Sequence, residues 1–320
     1  MLSSGVKHRS YSQPLQRVLV DFGAEDAFNK VHAKLKEHYG ISLPASAPRQ
    51  TTLKHASEIS KLQAAQRGKQ SGAARDCVIS ETDGSMVPIV TPNETQSDRR
   101  KKKTLSYREA RLTLAHAKGS KFPIFSATFK DTQVTGEHLA HCVKRIGIDK
   151  KTQIHCVGDG APWIAHQVEE QFGKQATYLI DFYHVCEYLA EAATALCCEE
   201  KQKSWLEEQK HFLKNSQTAK VLNNLLTHIE PLSIPEEKAP VRACHRYLTN
   251  RLHQLNYKAA IDAELPIGSG EIESAHRYII QKRLKIQGAW WLEDTAENML
   301  ALRTYRANDD WEDYWTKLAA

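Results

Sequence analysis

Over residues 12–70 apolar side chains recur at helical spacing. Phe28, Val31, Leu35 and Tyr39 form one stripe, and Leu53, Ala56, Ile59 and Leu62 form another. This period predicts amphipathic helices. Asp21 and Asp26 are candidate caps and Gly40 a stop, and residues 41–44 make a short turn between two helices. Helix, turn and helix, with Arg49, Lys54 and His55 on the second element, give the outline of a helix-turn-helix. The same outline also serves plain packing.

The pattern changes over 74–184. Residues 77–80 and 86–90 are β-rich runs around Asp83-Gly84, a hairpin signal. Residues 111–116 alternate as a third strand, and 122–129 as a fourth or its continuation. A helix is predicted over 134–146. Residues 154–157 read as a buried strand running into Gly158-Asp159-Gly160, and 178–180 as another ending in Asp181. A meander followed by alternating strands and helices predicts an α/β fold, a mixed sheet with helices on its faces. From 182 to 318 the chain is mainly helical. The charged stretch 199–230 is broken by Pro231, Pro235 and Pro240, and a helix follows over 241–256. Gly268-Ser269-Gly270 then interrupts, helix resumes over 271–285, and a last helix covers 293–306.

Composition narrows the picture. A chain of 320 residues suggests about two domains. With 41% hydrophobic and 26% charged residues it is globular, and a net charge of +6 is too mild to name a partner. No apolar run approaches the ~18 residues of a membrane span, since Glu187 and Glu191 interrupt the best candidate. The first residues lack the apolar core of a signal peptide. Seven scattered cysteines, with no Cys-x-x-Cys pair, read as reduced thiols of a cytoplasmic protein rather than zinc ligands. Residues 91–103 form a polar stretch ending in five consecutive cations, Arg99 to Lys103. It is either a solvated loop or a phosphate-tracking one.

Three acidic positions draw attention by their backbone context. Asp83 lies at the expected hairpin, Asp159 follows a buried strand between two glycines, and Glu273 begins a helix. Singly, each has a plain explanation: a turn residue, a strand-end residue, a partner of the helix dipole. Together, carboxylates at strand ends face a ligand crevice and suit Mg²⁺, and two such ions support phosphoryl transfer. Glu271 competes with Glu273, because residues two apart on a helix point about 200° apart. Asp181 and His184 share a helix face, as cap and buried histidine or as supports of the site. Trp163 and the Trp290-Trp291 pair are core residues or stacking platforms. Lys282, Arg283 and Lys285 follow Glu273 as a candidate phosphate-tracking cluster.

Three ordered strings carry a family resemblance. They are Val157-Gly158-Asp159-Gly160-Ala161-Pro162-Trp163, the stretch 181–189 beginning Asp181-Phe182-Tyr183-His184, and Gly268-Ser269-Gly270-Glu271-Ile272-Glu273-Ser274. Together they closely resemble bacterial insertion-sequence transposases, of the Kra-type branch related to Mutator-like transposases, from about Asp83 to Leu302. Pro14-Leu15-Gln16 through Ala24 also looks like this family. The resemblance implies a ribonuclease-H-like mixed five-stranded sheet with flanking helices, formed by 74–198 and 268–320. It implies an all-helical insertion over 199–267 and a small N-terminal helical domain over 1–70. The 114-residue separation of Asp159 and Glu273 (273 − 159) accommodates that insertion.

The resemblance further implies a catalytic and metal-binding Asp83–Asp159–Glu273 triad holding two Mg²⁺ or Mn²⁺ ions. Asp181, His184, Trp163 and Ser274 would support it or touch DNA. Lys282, Arg283, Lys285, Arg49 and Lys54 would bind DNA. The activity implied is transposition: metal-dependent phosphodiester hydrolysis at element ends, then strand transfer into target DNA, by a nucleoid-associated homo-oligomer on double-stranded DNA. A nuclease or resolvase that does not join strands, or a domesticated DNA-binding protein, are the alternatives.

Overall fold

The computed structural model describes residues 11–67, 72–93 and 103–319. Three helices open it: α1 (Gln13–Glu25), α2 (Phe28–Tyr39) and α3 (Ala47–Gln66). Gly40 ends α2 with a φ of 65°, and its N–H reaches the carbonyls of Leu35 and Lys36. The two aspartates do not start helices. Asp21 lies inside α1 and pairs with Arg306, while Asp26 is the C-cap of α1 and takes Lys34 Nζ at 2.5 Å.

Five strands form one mixed sheet: β1 (Cys77–Pro92), β2 (Lys103–Ala117), β3 (Ile124–Thr128), β4 (Gln153–Gly158) and β5 (Ala176–Ile180). The spatial order is β3-β2-β1-β4-β5. The β1–β2 and β2–β3 pairs are antiparallel, and the β1–β4 and β4–β5 pairs are parallel. The hairpin expected at Asp83-Gly84 is absent. β1 runs straight through, paired with β2 from Val78↔Ala117 to Pro92↔Lys103. Gly84 provides a close approach rather than a turn: a Cβ there would stand 2.2 Å from Glu109 Oε1. The two short β runs are therefore one long strand. Of the expected polar loop, Thr91 and Pro92 finish β1 and Lys103 begins β2, and 94–102 lies outside the described residues.

α4 (Thr132–Ile146) and α5 (Pro162–Phe172) cover one face over Val78, Ala115, Ile154 and Cys156. Asp131 caps α4, its carboxylate accepting from Val134 N at 2.9 Å. After β5 come α6 (Phe182–Leu196), α7 (Glu199–Lys214), α8 (Thr218–Leu226), α9 (Pro240–Thr249) and α10 (Tyr257–Asp262). They enclose a core of their own, with Val185, Leu189, Leu213, Val221 and Leu248, joined to the sheet through Leu179 and Ile180.

The chain then returns to the second face as α11 (Gly270–Ala275), a π-helical turn (His276–Gln281) and α12 (Lys282–Leu284). α13 (Glu293–Ala307) and α14 (Trp311–Ala319) complete it. The last of these was not expected from the pattern. Here Leu112, Leu114, Val87 and Ile89 of the sheet meet Ile272, Ile279, Leu300 and Leu302. Val20, Ala24, Ala56 and Ile59 of the N-terminal helices join the same core.

A π turn leaves carbonyls without their usual partners. Arg303, buried on α13, donates to the carbonyls of Tyr278 and Ile279 in that turn and to Ala24 at the end of α1. One guanidinium thus ties three elements, its planar fork matched to several acceptors.

Candidate active site

Strand register places the acidic residues. β1 and β4 pair in parallel up to Glu81↔Val157, and β4 and β5 up to Gly158↔Ile180. Asp83 and Asp159 each lie two residues past the first of these pairs, and Asp181 lies one past Ile180. The three aspartates therefore stand level across neighbouring strands about 4.8 Å apart, Asp159 and Asp181 just past the ends of β4 and β5 and Asp83 within β1, just beyond its last residue paired with β4. Glu81 and Asp83, two apart, share the face against which α11 packs. Ile272 N of α11 donates to Glu81 Oε2 at 2.8 Å.

The start of α11 is latched to the sheet. Asp181 Oδ2 accepts from Ser269 N at 2.6 Å and from Ser269 Oγ at 2.5 Å. Its Oδ1 accepts from Tyr183 N at 2.6 Å and His184 N at 3.1 Å, capping α6. With four donors, this carboxylate is fully engaged as a junction between two helices. Gly268 lies beneath the Tyr183 ring, and a Cβ there would come within 2.8 Å of it. Phe182 N donates to Ile267 O at 2.8 Å and a His155 ring nitrogen lies 2.8 Å from Pro266 O, so residues 266 and 267 lie against β4 and the start of α6.

Asp83 Oδ2 lies 3.2 Å from Nε2 of the buried His276, the first residue of the π turn. Its Oδ1 accepts from Gly84 N at 2.7 Å. Asp159 is half-buried, and its Oδ1 accepts from Ala161 N at 2.8 Å. Its own carbonyl receives Tyr247 Oη of α9 at 2.9 Å. Gly160 takes a φ of 84° directly under that tyrosine, where a Cβ would stand 2.2 Å from the hydroxyl. The glycine after Asp159 is thus required twice, by backbone and by space.

Glu271 and Glu273 are both exposed on the first turn of α11. Glu271 Oε2 lies 3.3 Å from Nε2 of the buried His116. Glu81, buried in β1, escaped sequence analysis. Burial, opposed by the hydrogen bond from Ile272 N and aided by the nearby Glu271, Asp181 and Glu273, pushes its pKa up to about 8. Its signal was a carboxylate alternating with Ile79 on the core face. His276 could have been noticed as well, three residues past Glu273 on the same helix.

Other candidates divide by burial. Trp163 is half-buried in the first turn of α5, with the Arg111 guanidinium 5.3 Å from its ring centre. His184 packs edge-on to Tyr188 and Tyr247 and lies 3.4 Å from Glu187. Ser274 is exposed on α11. Lys282 pairs with Glu25 at 2.8 Å, and Lys285 Nζ donates to Ser85 Oγ at 2.7 Å. Arg283 is turned inward, only 2% exposed, with Nε donating to Gly23 O at 3.0 Å. Position in a basic cluster did not predict that, because the helix turns every third or fourth residue inward. Arg49 and Lys54 are exposed on α3, but His55 is buried, 2.5 Å from Tyr314 Oη and 2.9 Å from Gln16 Oε1.

The donor set at this end of the sheet is rich in carboxylate, the chemistry that suits Mg²⁺ or Mn²⁺. Among the described residues, no three His, Cys, Asp or Glu side chains are gathered closely enough to hold an ion. Among them, too, no helix is long and apolar enough to cross a membrane.

No curated protein matches the chain. Among solved structures, the Drosophila P element transposase strand transfer complex is similar at a TM-score of 0.35 and 11% identity, over 99% of this chain and 83% of that one. A likeness at that score carries no weight for fold or function. Residues 6–317 match the family described as "Uncharacterised protein family (UPF0236)", and the chain belongs to it.

Proposed function

We propose that this chain is a DNA transposase of the insertion-sequence kind. Its ribonuclease-H-like domain would comprise 74–198 and 268–320, with 199–267 as the helical insertion. One observation carries the reading. β1 and β4 are adjacent and parallel, so Asp159, just past the end of β4, stands level with Asp83 inside β1, two residues beyond its last pairing with β4 and on the face where α11, which carries Glu273, packs.

In this reading Asp83, Asp159 and Glu273 would hold two divalent ions, whose part is Lewis-acid activation of an attacking oxygen and neutralisation of charge on the phosphodiester. The chain's own residues do the positioning. The buried His276 stands beside Asp83, its Nε2 3.2 Å from Oδ2. The Asp159 carboxylate is held by the backbone at the N-terminus of α5. Asp181 and Glu81 hold α11 on the sheet through Ser269 and Ile272. Lys282 and Lys285, exposed on the same returning segment, offer charge to the DNA backbone. Two chemically similar displacements, hydrolysis at an element end and attack of the freed 3′-hydroxyl on target DNA, can use one such centre without a covalent protein–DNA bond.

The test uses linear duplex DNA ending in the inverted repeats that flank the reading frame, incubated with full-length protein and Mg²⁺. Wild type is expected to release 3′-hydroxyl ends and to yield joined products. Asp159→Asn is expected to abolish both while still shifting the DNA in a gel. Cutting by Asp159→Asn at the wild-type rate would remove the assignment, and wild-type cutting without joining would reduce the protein to a nuclease.

A further inference from the structure

A second site lies away from the carboxylates. A cavity of about 300 Å³ opens between the start of α2, α3 and the loop after α12, lined among others by Phe28, Arg49, Arg283, Trp290 and Trp291. That is the low end of ligand-pocket sizes, about 300–1,000 Å³. Two of its lining side chains hold buried donors with no partner: Nη2 of Arg283, a residue 2% exposed, and Nε1 of Trp291, 4% exposed. Buried donors are normally satisfied, and a buried guanidinium without a carboxylate is costly.

Among the described residues no carboxylate comes within ion-pair distance of Arg283. Its guanidinium instead lies against two aromatic rings, 4.5 Å from the centre of Phe28 and 4.8 Å from that of Trp291. It is therefore a fixed positive charge with an unused N–H. Burial also holds its pKa down, at about 10, so the cation remains charged at neutral pH but is poorly solvated.

The cavity's other wall has a different chemistry. Trp290 is 61% exposed, a large flat apolar surface in solvent, and Lys103 Nζ lies 5.0 Å from its ring centre. Lys103 ends the run of five cations that begins at Arg99. Arg49 is exposed on α3 at the cavity edge. A bare anion would use the arginines but leave the indole in water, and an apolar ligand would leave the arginines unpaired. An aromatic group joined to a phosphate uses both.

We propose that this cavity receives one unpaired nucleotide of single-stranded DNA, its phosphate toward Arg283 and Arg49 and its base on Trp290. The location suits a strand that also reaches the carboxylates. Trp291 bridges to Ile89 in β1, with Val90 N donating to Trp291 O at 2.8 Å. Six residues of strand separate Ile89 from Asp83, about 20 Å. The inference rests on the DNA reading above for its choice of nucleic acid, but not on the catalytic assignment.

The test measures binding of a short fluorescent oligothymidylate to the full chain by anisotropy, with the corresponding duplex in parallel. Trp290→Ala is expected to weaken oligothymidylate binding about tenfold, the effect of losing one base–aromatic stack, and Trp290→Phe to restore most of it. Arg49→Gln should weaken it as well, and both substituted residues are exposed, so thermal melts should match wild type. Thymidylate should compete better than inorganic phosphate. Wild-type affinity in both Trp290→Ala and Arg49→Gln overturns the pocket and leaves the transposase reading standing. Equal competition by inorganic phosphate shows an anion site without base contact and overturns the nucleotide. Binding of neither oligothymidylate nor duplex by wild type overturns both readings.

Discussion

At the scale of single residues, buried titratable groups make the sharpest predictions away from the site. His138 on α4 is 5% exposed, with Nδ1 2.7 Å from Ser126 Oγ. Burial, aided by Arg67, His141 and Lys130, pushes its pKa from 6.5 down to about 3. The unfolded chain binds this proton near the ordinary value, and the folded chain only near the depressed one. The histidine's contribution is therefore complete above about pH 6.5 and is lost as the pH falls toward 3. Between pH 6.5 and 5 the loss amounts to about 2 kcal/mol. Urea midpoints taken at both ends of that interval should fall less in His138→Asn than in wild type, and an equal fall would refute the account. The residue scale also shows what could be read directly. Gly160 and Gly268 stood out beside the acids, and both prove to lie where a side chain would collide with a tyrosine. The buried carboxyl of Glu81 was equally visible in the letters, but its importance depends on Ile272, 191 residues away.

At the scale of elements, Arg303 shows how a helix irregularity is stabilised. The π turn at His276–Gln281 sets the direction in which the chain leaves α11, and the guanidinium takes up carbonyls of that turn. Lysine keeps the charge but loses the fork. Arg303→Lys should therefore cost about 2–4 kcal/mol, readable as a lower denaturation midpoint. An unfolding free energy within about 0.5 kcal/mol of wild type would show that the π turn needs no such tie. Strand identity was legible at this scale from apolar alternation, as in β4 and β5. The error at Asp83-Gly84 has a definite cause. A dipeptide that usually turns was overridden by fifteen consecutive residue pairings with β2. Local turn chemistry is weak against a ladder of that length.

At the scale of the molecule, the N-terminal helices are built into the common core. α1 and α3 pack on α13, Thr52 fills the space over Gly23, and His55 joins Gln16 to Tyr314 near the C-terminus. Arg283 and Arg303 hold the last carbonyls of α1 from the other end of the chain. A chain starting at Gly72 should consequently lose its cooperative thermal transition. If it melts as sharply as the full chain and lacks only DNA-end recognition, the first seventy residues are a separable module after all. On α3 itself, Arg49 and Lys54 face solvent, whereas His55 does not.

The letters alone determined where most helices and strands form, though not that β1 continues through Asp83-Gly84 or that α14 follows α13, because apolar period is a local property written every two or every three to four residues. They also marked the strand ends where Asp159 and Asp181 stand, and the glycines that let α11 begin. Only the tertiary structure decided which strands are neighbours, hence that Asp83, Asp159 and Asp181 stand level, that Glu81 is enclosed beneath α11, and that Arg283 faces inward. Those facts depend on contacts between residues up to hundreds of positions apart, and no local pattern encodes which partner a buried charge will find.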